Sequence, residues 1–449
     1  MELRPDAGGK TNLSSQTEPG RSQLSPGTLL YRDVAIVLAI SWAARIIFML
    51  AIPDLIHSFD FEAWEKVADV LKTGGNPYQT TSFLSWPPFW LQLVFVISKI
   101  SSFLSVPFFR VLQCFLILVE SIVVVLLVKL IRQVAPQAPV RTLVILGIAL
   151  NPAAILLTCQ HCNFDVVVAL WLLLFMHHLL RYIRTKDGAD WMGACLFLGL
   201  GILTKTIPLI LIPMLIGGFR KEMPRIKFLG LMLLLGPTAL GMSVLYVLSP
   251  AYVTRDVLEY HGQSGFFGVS GLLHLAGQDP LITFNGQIFD LLLLGVMVAG
   301  FIFFRERQSI GNRETILLAT LLLMSIPVLG PGYGPQYLYW YLPFLIALYA
   351  FYQGRLRTVL LVFALVLVCT YLFEYAILSS DGSYFLNILI SRKVDPHPWV
   401  PFALFVKKCD TPEGQTLIRL PLFLAYLALL LTGIRVFVKE IKTDNLTEP

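Results

Sequence analysis

Two carboxylates follow the first apolar segment of the chain, at the point where a polypeptide would leave a membrane. Asp60 and Glu62 are separated by one residue in the run His57-Ser-Phe-Asp60-Phe-Glu62-Ala-Trp64. A carboxylate there can act as a general base and take a proton from a hydroxyl group, and a pair of carboxylates can bind a metal cation. These residue types at this spacing predict a reaction site at the membrane surface.

Two short polar connections elsewhere in the chain separate strongly apolar stretches. One contains Gln160-His161-Cys-Asn163-Phe-Asp165, and the other is Thr204-Lys205-Thr206. A lysine at the centre of a membrane span would cost about 2.5–3.5 kcal/mol, so a lysine between two apolar stretches is expected to have a favourable interaction that offsets this cost. Lys205 is either the ligand of a phosphate group or a side chain that reaches the lipid headgroups.

The composition is that of a membrane protein with many spans. The chain has 449 residues, 56% of them hydrophobic and 14% charged, with a mean hydropathy of +0.73. Soluble domains have roughly 25% charged residues, and each span needs about 20 apolar residues. The net charge of +6 does not indicate a nucleic-acid partner, because the basic residues lie at the ends of apolar segments. We expect an all-α fold with about twelve transmembrane helices, at residues 34–53, 111–129, 142–157, 166–180, 191–203, 207–219, 228–248, 288–304, 316–329, 338–351, 359–378 and 420–438.

The distribution of basic residues predicts the orientation in the membrane. With the N-terminus in the cytosol and the apolar segment 86–105 lying in the outer interface, most basic clusters are cytosolic, as the positive-inside rule requires. A span at 86–105 would invert everything after it. We therefore expect a disordered cytosolic tail over 1–32, one transmembrane domain over 33–438 with a first external loop over 54–109, and a cytosolic tail over 439–449.

Within the first external loop, apolar residues recur at helical spacing. Phe61 and Trp64 fall on one face, and charged residues fall on the other. This pattern predicts a helix over 60–73 that lies on the membrane, with Ser58 as its N-cap and Gly74-Gly75 at its end.

Two charges lie inside predicted spans. Arg45 is in the first span and Glu120 is in the second, at depths that differ by about 5 Å at 1.5 Å per residue. Charges inside the membrane usually have a partner. We expect a buried Arg45–Glu120 ion pair, with a structural role rather than a catalytic one.

The six cysteines show no framework of secreted disulfides. Cys159 and Cys162 have C-x-x-C spacing without the strand and helix of a redox motif. A functional disulfide or metal site and a simple packing role both remain open for this pair.

Several motifs in this order resemble the GT-C superfamily of glycosyltransferases, which use sugars carried on polyprenyl phosphates. The resemblance is greatest to the branch of GPI mannosyltransferases and bacterial polyprenyl-phosphate-mannose-dependent enzymes. It covers about residues 33–350 and rests on Asp60-Phe-Glu62, Gly75-Asn-Pro-Tyr78, Trp86-Pro-Pro88, Gln160-His-Cys-Asn-Phe-Asp165, Leu203-Thr-Lys205-x-x-Pro208, and Gln336-Tyr337 before Pro343. Some members have two aspartates where this chain has Asp60 and Glu62, so a requirement for a metal is not implied.

The resemblance implies catalytic roles for the two carboxylates Asp60 and Glu62. Asp60 would be the general base, and Glu62 would contact a cation or the acceptor. The alternative is that both residues only stabilise the first turn of the helix, where a carboxylate gains about 0.3–1 kcal/mol.

Substrate-binding residues are expected in the later external loops. Lys205 would bind the donor phosphate, joined by Arg255 or His261. These two residues could equally serve the solubility of a long loop.

Contacts with the rest of the substrate are implied by the resemblance. His161 and Asp165 would contact it, or be hydrated and cap a helix, and Gln336 and Tyr337 would line the sugar pocket. The following aromatic residues, Tyr339-Trp340-Tyr341, are expected in the interfacial belt.

The resemblance implies an inverting hexosyltransferase. Its partners would be a polyprenyl-phosphate sugar, most simply mannose, and a lipid- or glycan-linked acceptor. No cofactor is required, although a divalent cation, Mg²⁺ or Mn²⁺, is compatible with the carboxylates. The expected location is the bacterial inner membrane, with the endoplasmic reticulum as the alternative. A transporter or flippase of lipid-linked sugars and a polysaccharide polymerase or ligase are the competing hypotheses.

Overall fold

The computed structural model of the protein describes residues 26–51, 59–80, 84–217, 224–258, 267–305, 311–332, 334–374, 395, 397–409 and 411–444. In chain order, the first α-helices of this part of the chain are α1 (Pro26–Ala51), α2 (Phe59–Lys72), α3 (Pro77–Thr80), α4 (Pro88–Leu104), α5 (Phe108–Val134), α6 (Val140–Val144), α7 (Pro152–Cys159), α8 (Asp165–Thr185), α9 (Gly188–Thr204) and α10 (Ile212–Gly217). They are followed by α11 (Pro224–Leu248), α12 (Pro250–Val253), α13 (Gly268–Leu275), α14 (Asp279–Arg305), α15 (Asn312–Leu329), α16 (Leu338–Phe351), α17 (Gly354–Phe373), α18 (Val400–Cys409) and α19 (Pro412–Asp444). Short 3₁₀ turns lie at Ile207–Leu211, Pro335–Tyr337 and His397–Trp399, and π turns lie at Ile145–Ala149 and Thr254–Leu258.

The fold is that of an all-helical membrane protein. Among the described residues, eight helices are long and apolar enough to cross a membrane: α1, α5, α8, α11, α14, α15, α17 and α19. The segments Val140–Ala149 and Pro152–Cys159 meet at an angle of 50°, and together they form one further candidate span. The described chain therefore has eight candidate spans, or nine with the bent pair.

Three more predicted spans coincide with shorter apolar helices, Gly188–Thr204, Ile207–Ile216 and Leu338–Phe351. Each is shorter than the roughly 20 residues that a regular span needs, so the total of twelve stays a prediction. Pro88–Leu104, the core of the segment that we assign to the outer interface, is a helix of the same short class.

The predicted helix over 60–73 is confirmed as α2. Phe61 and Trp64 are buried, whereas Glu62 faces outward, as the periodicity indicates. Gly74 follows the helix with a positive φ of 75°, a conformation that glycine adopts without strain. The predicted N-cap, Ser58, lies outside the described residues.

An aromatic cluster fixes α2 against the rest of the protein. The Trp64 ring centroid is 4.3 Å from that of Trp86, 5.4 Å from that of Trp90 and 5.5 Å from that of Phe164. Aromatic pairs at these separations add to the free energy gained by burial. Because Phe164 belongs to the connection between α7 and α8, the cluster holds the start of α2 beside that connection.

The predicted buried ion pair between α1 and α5 is confirmed. Arg45 Nη2 donates to Glu120 Oε1 at 2.6 Å, and its Nε also contacts the carboxylate. The Tyr339 hydroxyl donates to the same Glu120 oxygen. This third member of the cluster is not evident from the spacing of the two charges.

The assignment of Tyr339, Trp340 and Tyr341 to an interfacial belt is wrong. All three side chains are buried, because α16 lies inside the helix assembly with apolar residues around its whole circumference. A helix that is hydrophobic on every side belongs in a core. Hydropathy alone does not distinguish this position from the membrane interface.

Candidate functional site

Asp60 is held by two side chains from the connection between α7 and α8. His161 Nε2 lies 2.8 Å from Asp60 Oδ2, and Asn163 Nδ2 donates to the same oxygen at 2.8 Å. The other oxygen, Oδ1, accepts no hydrogen bond from a described residue, and 14% of the side chain is exposed. Asp60 is therefore fixed through one oxygen while the other stays available.

Asn163 links the start of α8 to Asp60. Its Oδ1 accepts the backbone N–H of Asp165 at 2.8 Å, which caps the helix, and its Nδ2 donates to Asp60. The two bonds use both ends of the amide and fix its orientation. Asn163 therefore satisfies the first backbone N–H of α8 from two residues before the helix, and the Asp165 side chain does not cap the helix.

Cys162 gives the connection its shape. Its φ of 50° lies in the left-handed region, where a residue other than glycine is strained by about 1–3 kcal/mol. This turn places His161 and Asn163 on either side of a buried cysteine, so that both reach Asp60. Cys159 and Cys162 are free thiols, and burial raises the pKa of Cys162 well above its ordinary value. The packing role is therefore favoured for the pair.

A second carboxylate is held deep in the same region. Asp165 is fully buried, and its Oδ1 accepts hydrogen bonds from Lys205 Nζ at 2.7 Å and from Trp340 Nε1 at 3.0 Å. These three residues come from α8, the end of α9 and α16. The interruption of helical structure between α9 and the Ile207–Leu211 turn brings the lysine to the site.

Lys205 is enclosed by aromatic rings. Its Nζ lies 4.9 Å from the centroid of Trp340, 5.1 Å from that of Phe164 and 5.3 Å from that of Tyr337. Tyr337 and Trp340 stack on each other with centroids 4.0 Å apart. Rings at these distances attract a cation through their faces. The lysine is not completely enclosed, since 15% of its side chain is exposed.

The charged groups around Asp60 and those around Asp165 and Lys205 interact electrostatically. Burial raises the pKa of Asp60, but His161, Asn163 and Lys205 together outweigh burial and hold that pKa below its ordinary value of 3.8. Asp60 is therefore ionised at neutral pH and ready to accept a proton. Tyr371, on α17, is also buried and interacts electrostatically with Asp60 and Asp165.

The arrangement combines a proton acceptor with a half-buried cation. An oriented carboxylate can remove the proton from a hydroxyl group, and an ammonium group beside it can stabilise negative charge that develops on a leaving group. Asp60 lies at the start of the amphipathic helix α2, and Lys205 directly follows the apolar helix α9.

The structure brings together most of the predicted site residues. Asp60, His161, Asp165 and Lys205 converge, and Tyr337 packs over Lys205. Gln336 is half-buried in the same turn as Tyr337.

The remaining predicted residues lie elsewhere or outside the description. Glu62 is exposed on the outer face of α2, and Arg255 is exposed with its guanidinium 5.3 Å from the ring centroid of Tyr252. His261 lies outside the described residues. Among the described residues, no group of three or more His, Cys, Asp or Glu side chains is placed to bind a metal ion.

Three residues of the site are not among the predicted ones. Asn163 was visible inside a recognised motif, and its amide between a histidine and an aspartate was the available signal. Trp340 was assigned to the membrane interface. Tyr371 lies in an apolar helix, and no local pattern separates it from a core tyrosine.

Comparisons with known proteins give a single type of likeness. No family model matches the chain, and no curated protein matches it. A similar solved structure is the apo state of ArnT from Cupriavidus metallidurans, with a TM-score of 0.45 and 13% sequence identity. The match covers 91% of this chain and 77% of that one.

Proposed function

We propose that the protein is a membrane glycosyltransferase of the GT-C type. It moves a hexose, mannose on the basis of the motif resemblance, from a polyprenyl-phosphate carrier to a lipid- or glycan-linked acceptor. The observation that carries the proposal is the state of Asp60. One of its oxygens is fixed by His161 and Asn163, and the other accepts no hydrogen bond from a described residue and lies within the electrostatic influence of the half-buried Lys205.

In this mechanism, Asp60 Oδ1 accepts the proton of the acceptor hydroxyl group. The acceptor oxygen forms a bond to the anomeric carbon, and the bond from that carbon to the phosphate oxygen breaks. The electron pair leaves with the polyprenyl phosphate. A single displacement of this kind inverts the configuration at the anomeric carbon.

Lys205 is proposed to bind the phosphate that leaves. A lysine ammonium has three N–H donors, and Asp165 takes one of them. The surrounding rings leave the charge in a poorly hydrated site, where its interaction with a phosphate is stronger than in water. Asp165 and Trp340 then keep the ammonium in place while charge develops on the phosphate.

The remaining predicted residues are proposed to contact other parts of the two substrates. Glu62, on the exposed face of α2, is proposed to contact an acceptor that approaches from the external side. Gln336 and Tyr337 are proposed to line the sugar pocket, and Arg255 and His261 to add positive charge near the donor.

The cellular setting follows from the predicted orientation. Twelve spans, with both termini in the cytosol, would put α2 and the carboxylates on the external or lumenal face. The bacterial inner membrane fits this arrangement, and the endoplasmic reticulum membrane is the alternative. The partners are then the carrier-linked donor, the acceptor and the membrane lipids.

The products released from the donor test this function. Purified protein is supplied with polyprenyl-phosphate-mannose and a membrane-lipid extract, and polyprenyl-phosphate-glucose is tested in parallel. We expect free polyprenyl monophosphate and a labelled acceptor. If the donor crosses a liposome bilayer intact, the protein is a flippase. If only polyprenyl-diphosphate sugars are consumed, it is a ligase or polymerase.

A further inference from the structure

A second polar cluster lies inside the helix assembly, apart from the Asp60 group. It consists of Arg45 on α1, Glu120 on α5 and Tyr339 on α16, each at most 1% exposed. Glu120 Oε1 accepts hydrogen bonds from Arg45 Nη2 and from the Tyr339 hydroxyl, and Glu120 Oε2 contacts Arg45 Nε. Three helices are therefore joined at one carboxylate.

This cluster also forms hydrogen bonds with the backbone where the bent pair of helices is interrupted. Arg45 Nη1 donates to the carbonyl of Ala149 at 2.9 Å, and Nη2 donates to that of Ile148 at 3.3 Å. Both carbonyls lie at the end of the π turn that precedes α7. A charged donor on such carbonyls satisfies polar groups that lipid could not.

The far end of α7 is held by the same face of α5. Gln113 Nε2 donates to the carbonyl of Cys159, the last residue of α7. Gln113 and Glu120 are seven residues apart, two helical turns along one side. Since α7 leads directly to His161 and Asn163, α5 supports the connection that holds Asp60.

Tyr339 extends this support to the other half of the site. The next residue is Trp340, whose indole N–H donates to Asp165, the partner of Lys205. Both side chains project from the first turn of α16. The hydroxyl bond of Tyr339 to Glu120 therefore fixes the turn from which Trp340 reaches Asp165.

We propose that Tyr339 is a positioning residue, which anchors α16 to Glu120 so that Trp340 holds Asp165 and Lys205 in register with Asp60. The inference rests on the proposed function for its effect on transfer. Its physical basis is that a charge-assisted bond in a low-dielectric interior is strong and directional. A misplacement of about 1 Å in a reaction site can cost about 100-fold in rate.

The chain offers a closely matched control on the same helix. Tyr341 is also buried, and its hydroxyl bonds to that of Tyr426 rather than to Glu120. Tyr339→Phe and Tyr341→Phe each remove one buried hydroxyl from α16 and leave the rings in place. Only the first disconnects α16 from the cluster.

Two measurements on these variants test the proposal. In Tyr339→Phe we expect kcat of transfer to fall about 10- to 100-fold, and backbone hydrogen exchange to accelerate over residues 160–165 and the first turn of α16. Tyr341→Phe should change kcat less than about twofold and leave exchange over 160–165 as in the wild type. Equal losses in both variants, or none in Tyr339→Phe, would overturn the proposal.

A double variant shows whether Tyr339 acts through Trp340. If it does, Tyr339→Phe adds nothing to the loss in kcat that Trp340→Phe causes. Additive losses would mean that Tyr339 acts by general stability and would contradict the proposal. If the wild type transfers no sugar, the proposed function fails on its own, and hydrogen exchange still decides the role of Tyr339.

Discussion

At the scale of single residues, the two oxygens of Asp60 have different surroundings. Oδ2 is contacted by His161 Nε2 and accepts a hydrogen bond from Asn163, whereas Oδ1 accepts none from the described part of the chain. A carboxylate fixed in this way keeps its rotamer without losing its capacity to accept a proton. The same donors hold its pKa below 3.8 against the effect of burial, so that it is ionised over the physiological range.

The role of His161 predicts a change in the pH dependence of transfer. Because a lowered pKa keeps Asp60 ionised, its effect on kcat/KM in the wild type should appear only in acid, below pH 3.8. His161→Ala removes the largest favourable interaction, so the pKa of Asp60 rises and the acid limb moves to higher pH. The pH profile of kcat/KM measures this shift. His397→Ala, at an exposed position, is the control, and an unmoved acid limb in His161→Ala would contradict the role.

The proposed contact between Lys205 and the phosphate predicts a loss of rate without a loss of fold. Removing the lysine alone would leave the buried charge of Asp165 unpaired, which is destabilising. The paired change Asp165→Asn with Lys205→Gln keeps the region neutral. We expect it to fold and to lose about 100-fold in kcat, comparable to the loss of one donor from an oxyanion site. Lys99→Gln is the control, and wild-type kcat in the paired variant would exclude Lys205 from the reaction.

At the scale of helices, the sequence predicts which elements matter better than which atoms meet. The helical periodicity of α2 and the two intramembrane charges identify a helix and an ion pair that the structure confirms. The bonds that build the site join residues 103 positions apart, for Asn163 and Asp60, and 175 apart, for Trp340 and Asp165. No local pattern encodes these contacts, because they depend on how the helices pack.

The buried pair between α1 and α5 predicts a large effect on stability. Glu120→Gln leaves the Arg45 charge uncompensated in a span, and breaking a buried pair in this way costs about 3–5 kcal/mol. We expect a clear fall in the melting temperature of the purified protein in detergent. Glu65→Gln, on the exposed face of α2, should leave it unchanged. Equal melting of Glu120→Gln and wild type would count against the pair.

At the scale of the whole molecule, hydropathy predicts the helices but not their depth. Each predicted span coincides with helical structure, yet three are too short to count by length alone. Burial inside the assembly and exposure to lipid both favour apolar residues, which is why α16 was assigned an interfacial aromatic group. The number of crossings therefore needs a direct test.

Labelling of introduced cysteines measures the orientation. In a background without the exposed Cys114 and Cys369, a membrane-impermeant maleimide should label Asp69→Cys from the outside of intact cells. Lys186→Cys and Gln353→Cys, which twelve spans place in the cytosol, should react only after permeabilisation. Labelling of either cytosolic site in intact cells would contradict the predicted topology.

The central claim is tested most directly by sugar transfer in Asp60→Asn. The control is Asp69→Asn, which changes an exposed aspartate of the same helix. With radiolabelled polyprenyl-phosphate-mannose and a membrane-lipid acceptor extract, we expect transfer by the wild type and by Asp69→Asn. Asp60→Asn should fold normally and transfer about 10²–10⁴-fold more slowly, which is what a general base contributes. Wild-type transfer by a folded Asp60→Asn would contradict the account and remove Asp60 from its role.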